Sequence, residues 1–300
     1  MYIGRFAPSP TGPLHFGSLV AAVASYAEAK KNQGKWLVRM EDLDKPREVA
    51  GAADHILSTL SALGFEWDSK VLFQSQRTDY YQAAFELLLG KGLIYPCSCS
   101  RKEIADSANM GIEGVIYPGT CLKHPLKSNG LIAWRVKTKD EALDFTDAIQ
   151  TSNCPQVIRQ NLAKDIGDFI LKRADGFFAY QLAVVVDDAA QGISHIVRGA
   201  DLLSSTPRQI YLQKLLGFSQ PYYTHVPIAT NQVGEKLSKQ TRAIAIDSLH
   251  AALLLSKALK FLGQAPPSEL EKYSVQEVWD WALKHWDLNK IPTAFKLLGS

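Results

Sequence analysis

The stretch RFAPSPTGPLHFGS, residues Arg5–Ser18, joins a short apolar strand to a helix and decides the fold. The strand is predicted over Tyr2–Phe6, and a helix rich in small residues is predicted over Leu14–Ala29. A second strand, Trp36–Met40, follows the helix. The order strand, helix, strand predicts an α/β fold with a parallel sheet and right-handed crossovers.

The turn in this stretch has the composition of an anion-binding site. Ligands of parallel sheets bind beyond the carboxyl ends of the strands, and a helix N-terminus there offers free backbone N–H groups. His15 lies in the first turn of the predicted helix, and Gly17 leaves room for close backbone approach. The common phosphate loops GxxxxGK[ST] and GxGxxG are absent from the sequence. For His15 taken alone, an ordinary βα turn with a hydrogen-bonded histidine is the alternative.

The composition indicates a globular protein. The chain has 300 residues, of which 46% are hydrophobic and 21% charged, so wholesale disorder is excluded. A net charge of +3 neither requires nor forbids a nucleic-acid partner. The apolar runs are too short to span a membrane, and the N-terminus lacks the pattern of a secretory signal, so a cytoplasmic protein without membrane contact is expected.

Later segments predict further helices and strands. Ala174-Asp175-Gly176 predicts a hairpin turn, and Ser274 followed by Glu277 predicts a capping box. Residues 247–300 are predicted to contain helices only. The other predicted elements are helices over Asp54–Leu63, Tyr80–Leu89, Gln181–Asp188 and Ala200–Leu216, and a strand over Ile193–Arg198.

Three cysteines predict a metal site. Cys97, Cys99 and Cys121 fall within 25 residues, whereas Cys154 stands apart. Without a signal peptide, this clustering favours a metal over disulfides. Structural zinc takes four ligands, and His124 would supply the fourth as a Cys-x-x-His pair with Cys121. A metal-free insertion with buried thiols is the alternative.

Four segments resemble one family. PSPTGPLHFG, ending at Gly17, resembles the HIGH signature of class I aminoacyl-tRNA synthetases in its glutamyl and glutaminyl form. KLSKQ, residues Lys236–Gln240, resembles the KMSKS loop of the same family. RMEDLD at Arg39–Asp44 and VRGADLL at Val197–Leu203 are also similar to the glutamyl synthetase pattern. The resemblance implies a Rossmann-like nucleotide-binding catalytic domain.

The resemblance also implies roles for particular residues. His15 and Lys239 would be catalytic and would bind ATP with Gly17, while Lys236 is the second choice for the lysine. Mg²⁺ is expected with ATP. The implied glutamate contacts are Arg5, Ala7, Ser9, Glu41, Tyr180 and Arg198. The implied zinc ligands are Cys97, Cys99, Tyr117 and Cys121, so Tyr117 and His124 compete for the fourth position.

The physical chemistry of the two charged residue types fits a glutamate site. The planar fork of an arginine suits bidentate binding of a carboxylate. Glu41, at the end of the second strand, is a natural acceptor for an ammonium group.

The length of the chain distinguishes between members of this family. Only 61 residues follow Lys239, too few for the long helical anticodon-binding half of a glutamyl-tRNA synthetase. The resemblance is therefore to a short paralogue that activates L-glutamate with ATP without tRNA. That paralogue transfers glutamate to the queuosine base in the anticodon of tRNA(Asp). A 3′-end glutamylating enzyme and a catalytically silent RNA-binding module are the alternatives.

Three parts of the chain are expected. Residues 1–94 and 135–245 form the catalytic domain, residues 95–134 a zinc-binding insertion, and residues 246–300 a helical C-terminal region. A monomer is expected.

Overall fold

The computed structural model describes residues 1–107, 110–111, 114–127, 130–150, 157–237 and 245–299. Its helices are α1 Phe16–Lys31, α2 Ala52–Ala62, α3 Thr78–Gly90, α4 Arg101–Ser107, α5 Thr120–Lys123, α6 Leu162–Asp165, α7 Tyr180–Ala190, α8 Thr206–Leu216, α9 Ala251–Phe261 and α10 Val275–His285. Its strands are β1 Ile3–Phe6, β2 Lys35–Met40, β3 Leu72–Phe73, β4 Ile94–Cys97, β5 Met110–Gly111, β6 Gly114–Val115, β7 Ala133–Val136, β8 Ala142–Phe145, β9 Ile158–Asn161, β10 Ile170–Lys172, β11 His195–Gly199, β12 Tyr222–Val226, β13 Ile228–Thr230 and β14 Lys296–Leu298.

The central strands run parallel, as the sequence predicts. β1 pairs with β2, with Arg5 opposite Leu37, and β2 pairs in turn with β3. β11 pairs parallel with β12, and the Ser194 N–H just before β11 donates to the Ile3 carbonyl at 3.0 Å. The carboxyl ends of β1, β2 and β11 are therefore neighbours.

Helix α1 packs on this sheet because its buried positions carry small side chains. Ala22, Ala24 and Ala27 are fully buried, which lets the helix approach the strands closely. Trp36 of β2 donates its indole N–H to Ser25 Oγ at 3.0 Å. Tyr26 makes edge contacts with the Trp36 ring. The first strand–helix–strand unit is therefore closely packed.

A second, antiparallel sheet carries the cysteine segment. β4 and β10 pair with the two edges of β7. Positions 95 and 134 lie inside β4 and β7, where Tyr95 is opposite Arg135 and Pro96 opposite Trp134. The two ends of the segment predicted as an insertion therefore lie on adjacent strands of one sheet.

Two predicted elements are wrong in detail. Residues Ala200–Leu216 do not form one helix, because Ala200–Ser205 wind as a 3₁₀ helix and α8 starts at Thr206. Pro207 lies in the first turn of α8, where its fixed φ and missing N–H are tolerated. Residues 247–300 are not helices only, since β14 pairs parallel with β13.

Other local predictions are confirmed. The Ser274 and Glu277 side chains form the capping box at the start of α10. Gly176 adopts a φ of +89° in the predicted hairpin turn, where the Arg173 N–H donates to the Phe177 carbonyl at 2.8 Å. Among the residues described, no helix has the length and apolar character needed to cross a membrane.

Candidate active site

A cleft of about 470 Å³ opens where β1, β2 and β11 end. Its lining brings together every predicted ATP and glutamate residue that the structure describes, namely Arg5, Ala7, Ser9, His15, Gly17, Glu41, Tyr180 and Arg198. Lys236 and Leu237 also line the cleft. Lys239 lies outside the described residues.

The first signature, the HIGH-like segment that ends at Gly17, leads into α1. His15 is the N-cap of this helix, and its Nδ1 accepts the Ser18 N–H at 3.2 Å. A Cβ on Gly17 would lie 3.2 Å from the Leu237 carbonyl oxygen and 3.3 Å from the His15 ring. Glycine at this position therefore permits a close approach of two chain segments.

The start of the second signature and the residues that follow it lie against the first signature. Leu237 approaches Gly17, and on the far side Ala245 bridges His15. The Ile246 N–H donates to the Leu14 carbonyl at 3.0 Å. The two signatures, more than 200 residues apart in the sequence, thus converge on one edge of the cleft.

Arg5 and Arg39 share one buried carboxylate. Arg5 Nε lies 3.1 Å from Asp188 Oδ1, and Arg39 NH1 lies 2.8 Å from the same oxygen. All three side chains are buried. Burial alone would raise the pKa of Asp188, but the two guanidinium groups outweigh it and lower that pKa. Asp188 is therefore a carboxylate that fixes both arginines.

The negative charge of the Glu41 carboxylate is only partly compensated by its neighbours. Arg39 NH2 lies 3.3 Å from Glu41 Oε1. Burial nevertheless raises the pKa of Glu41 against the opposing effect of Arg39 and Arg5. Burial and the nearby Glu41 charge also raise the pKa of Tyr180, the first residue of α7. A cation entering the cleft would stabilise the charged form of Glu41.

Arg198 is held differently from Arg5. Its Nε donates to His225 Nε2 at 3.0 Å, and its NH2 donates to Thr206 Oγ1 at 2.8 Å. Its NH1 is buried and has no hydrogen-bond partner among the residues described. Arg198 thus reaches the cleft with no carboxylate bonded to it.

Sequence reasoning missed the residues that hold the two arginines. Asp188 ends a buried apolar run, and an acidic residue in such a run signals a buried ion pair. Asp147 and His225, by contrast, carry no local signal, because their partners are distant in the sequence.

The cysteine cluster lies apart on the antiparallel sheet. The sulfur atoms of Cys97, Cys99 and Cys121 lie within 4.8 Å of one another. Tyr117 Oη lies 3.4 Å from Cys97 Sγ and 3.5 Å from Cys99 Sγ, and it accepts the Cys121 N–H at 2.9 Å. His124 lines a pocket beside the cluster and is exposed. The three cysteine sulfurs form a group that could hold a metal ion.

Comparisons with known proteins identify the family. A model of the catalytic domain of class I tRNA synthetases (E and Q) matches residues 3–252. Glutamyl-Q tRNA(Asp) synthetases of Dechloromonas aromatica and Chromobacterium violaceum are 55% and 53% identical, each over 97% of this chain and 96% of the relative. The chain belongs to the glutamyl-Q tRNA(Asp) synthetase family. It is accordingly a ligase-type enzyme, as the sequence predicts.

A solved structure supports the same fold. The glutamate tRNA ligase of Elizabethkingia meningosepticum, crystallised in complex with its amino acid, superposes with a TM-score of 0.77 at 25% identity. The alignment covers 100% of this chain and 67% of the ligase chain. The predicted Rossmann-like α/β catalytic domain of class I synthetases is thereby confirmed.

Proposed function

We propose that the chain activates L-glutamate with ATP, without tRNA, and then transfers the glutamyl group to the queuosine base in the anticodon of tRNA(Asp). The observation that carries the proposal is the cleft, whose lining includes the Glu41 carboxylate and two differently held arginines, Arg5 and Arg198. The names of the relatives support the acceptor.

The charges in the cleft match those of a glutamate molecule. Arg5 and Arg198 offer guanidinium groups to a carboxylate. Glu41 offers its carboxylate to the ammonium group, which would relieve the effect of its burial. Ala7 and Ser9 follow β1 and line the same cleft.

ATP, as its magnesium complex, would bind at the start of α1 beside His15 and Gly17. A glutamate α-carboxylate oxygen attacks the α-phosphorus, and the bond to pyrophosphate breaks. This step needs no general base because the nucleophile is already ionised. A lysine that meets the charge growing on the phosphoryl oxygens accelerates the step, and we assign that role to Lys239.

A second cleft offers a route for the acceptor. It has a volume of about 440 Å³ and shares Ala7, Ser9, Glu41 and Tyr180 with the first cleft. A hydroxyl of the queuosine cyclopentenediol attacks the glutamyl carbonyl from this side, and AMP leaves.

A structural zinc ion would be held by Cys97, Cys99, Cys121 and Tyr117. The position of the Tyr117 hydroxyl beside two of the sulfurs supports it over His124. Tyr117→Phe should then reduce the zinc content per chain, whereas His124→Ala should leave it unchanged. The reverse result would assign the fourth position to His124.

Transfer of labelled glutamate tests the proposed function. We expect labelling of tRNA(Asp) that contains queuosine and none of queuosine-free tRNA(Asp), and labelling should survive removal of the 3′ nucleotide. Equal labelling of both tRNAs would overturn the proposal, and loss of labelling with the 3′ nucleotide would indicate a 3′-end glutamylating enzyme. Binding of tRNA without pyrophosphate exchange for any amino acid would indicate a silent module.

The two signature lysines are separable by substitution. Lys239→Ala should lower the rate of adenylate formation about 100-fold or more while glutamate binding changes little, because its contact forms mainly in the transition state. Lys236, whose Nζ lies 2.5 Å from Asp201 Oδ2, is the matched comparison. A larger loss of rate in Lys236→Ala would move the role to that residue.

A further inference from the structure

Behind Arg198 lies a buried chain of polar side chains. Asp147 Oδ2 lies 2.6 Å from His225 Nδ1, and His225 Nε2 lies 3.0 Å from Arg198 Nε. The Asp147 and His225 side chains are fully buried, and Arg198 is 5% exposed. Of Asp147, His225 and Arg198, only Arg198 lines the cleft.

The hydrogen-bond pattern determines which nitrogen of His225 carries the proton. Arg198 Nε–H can only donate, so His225 Nε2 must accept, and the Thr206 hydroxyl, 3.2 Å from the same nitrogen, can donate to it as well. Asp147 is a carboxylate acceptor, so His225 Nδ1 must donate to it. The neutral Nδ1–H tautomer satisfies both contacts, and the other tautomer satisfies neither.

The charge on His225 agrees with this pattern. Burial lowers the pKa of His225 to about 4, although the Asp147 carboxylate opposes the shift. Arg198 contributes to the lowering, whereas Asp201 opposes it. The Tyr223 ring stacks parallel to the imidazole at 6.2 Å.

We propose that Asp147 and His225 are positioning residues for Arg198. The neutral imidazole of His225 accepts a hydrogen bond from Arg198 without compensating its positive charge. That charge and the NH1 group are therefore available to a carboxylate of the substrate. This inference rests on the proposed glutamate site. Arg5 provides the contrast, because its Nε and NH2 both face Asp188. An arginine bonded to a carboxylate has part of its charge compensated, whereas one bonded to an imidazole does not.

Asp147→Asn tests the relay with little change in shape. Asp147 Oδ1 accepts the N–H groups of Ile149 and Gln150 at 3.1 and 2.9 Å, and an asparagine carbonyl can keep both bonds. The asparagine NH₂ would then face His225 Nδ1 and favour the Nε2–H tautomer, which sets two donors against each other at Arg198. The same reasoning explains the loss on an Asp→Asn change beside a catalytic histidine.

The readout is ATP–pyrophosphate exchange without tRNA. Asp147→Asn should raise the KM for glutamate about tenfold and leave the KM for ATP within about twofold, in line with the loss of one charge-assisted contact. ¹⁵N NMR of the imidazole should show Nδ1–H in the wild-type chain and Nε2–H in the variant. Because exchange needs no tRNA, the role of Asp147 and His225 can be confirmed even if transfer to queuosine fails. Transfer to queuosine can likewise be confirmed even if these two residues have no such role.

Two substitutions at His225 separate its two contacts. His225→Asn can still donate to Asp147 but is too short to accept from Arg198, so it should raise the KM for glutamate. His225→Gln reaches the position of Nε2 and should restore most of the affinity. His195→Asn, on the neighbouring strand β11 but stacked on Tyr2 and outside the cleft lining, is the control.

Several results would overturn the inference. One is a wild-type KM for glutamate in both Asp147→Asn and His225→Asn, and another is an equal rise for glutamate and ATP. If the variants do not fold, the tautomer of His225 in the wild-type chain, read from the ¹⁵N NMR spectrum, tests the inference by itself. A proton on His225 Nε2 is incompatible with the proposed role and would overturn it.

Discussion

The cleft and the cysteine cluster both lie at strand ends, but different forces hold them. In the cleft, the buried ion pair Arg5–Asp188 connects β1, which packs in the main apolar cluster, to α7, which packs in a second one. The cysteine cluster has a separate apolar cluster in which Tyr95, Cys97 and Tyr117 are the buried members. The cleft is therefore organised by the fold itself, whereas the cysteine segment has a small apolar cluster and would gain order from a metal.

The largest effect is expected on removing the shared carboxylate of the cleft. Asp188→Ala leaves Arg5 and Arg39 buried without their partner, which should lower the free energy of unfolding by about 3–5 kcal/mol. Urea denaturation measures the change. Asp144→Ala removes an exposed partner of Arg159 and is the matched control, for which we expect no measurable change. Equal effects of the two substitutions would contradict a cleft held by buried charge.

A smaller effect is expected on removing a cleft charge that bonds no carboxylate. Arg198→Gln should raise the KM for glutamate about 10- to 100-fold, the range for a lost hydrogen bond to a charged group. The KM for ATP should stay nearly constant, since the expected ATP contacts lie at His15 and Gly17. ATP–pyrophosphate exchange measures both constants, and an unchanged KM for glutamate would remove Arg198 from the pocket.

Substitution of a cysteine in the cluster is expected to have a still smaller effect on glutamate binding in the cleft. Cys99→Ser should abolish zinc binding and make residues 98–132 sensitive to protease, while the KM for glutamate stays within about twofold, because the two regions belong to separate apolar clusters. Mass spectrometry of the cleavage sites gives the readout. Cys154→Ser, at a position outside the described residues, controls for the loss of any thiol. Loss of glutamate binding in Cys99→Ser would show that the two regions are coupled.

A further prediction concerns the dependence of stability on pH. His225 is neutral in the folded chain, with a pKa of about 4, whereas an unfolded histidine titrates near about 6.5. Between these values the unfolded state binds more protons, so stability should fall with falling pH by up to about 1.4 kcal/mol per pH unit from this residue. Urea denaturation at pH 7, 6 and 5 should show this slope in the wild-type chain and a shallower one in His225→Gln. Parallel curves would contradict a buried, neutral His225.

Local patterns predicted the parts of the fold that depend on neighbouring residues. The βα unit from Arg5 to Ser18 and the capping box at Ser274 each follow from a few adjacent residues, and both are confirmed. The break before α8 was missed although the polar run Ser204-Ser205-Thr206-Pro207 has the composition of a helix start. β14 was missed because its three residues are too short to show a period.

The candidate site divides in the same way. His15, Glu41 and Arg198 were found because they lie in segments that resemble a family. The residues behind them depend on contacts between distant elements, since Asp188 lies on α7 and His225 on β12. A single sequence carries no record of such pairs, so their identification required the structure.

ATP–pyrophosphate exchange in the absence of tRNA tests the central claim, a cleft that the fold preassembles around glutamate, most directly. We predict exchange with L-glutamate but not with L-glutamine, which lacks the side-chain charge, and the same exchange after the chain is treated with a zinc chelator. Exchange that appears only when tRNA is added, or that is equal for the two amino acids, would contradict it.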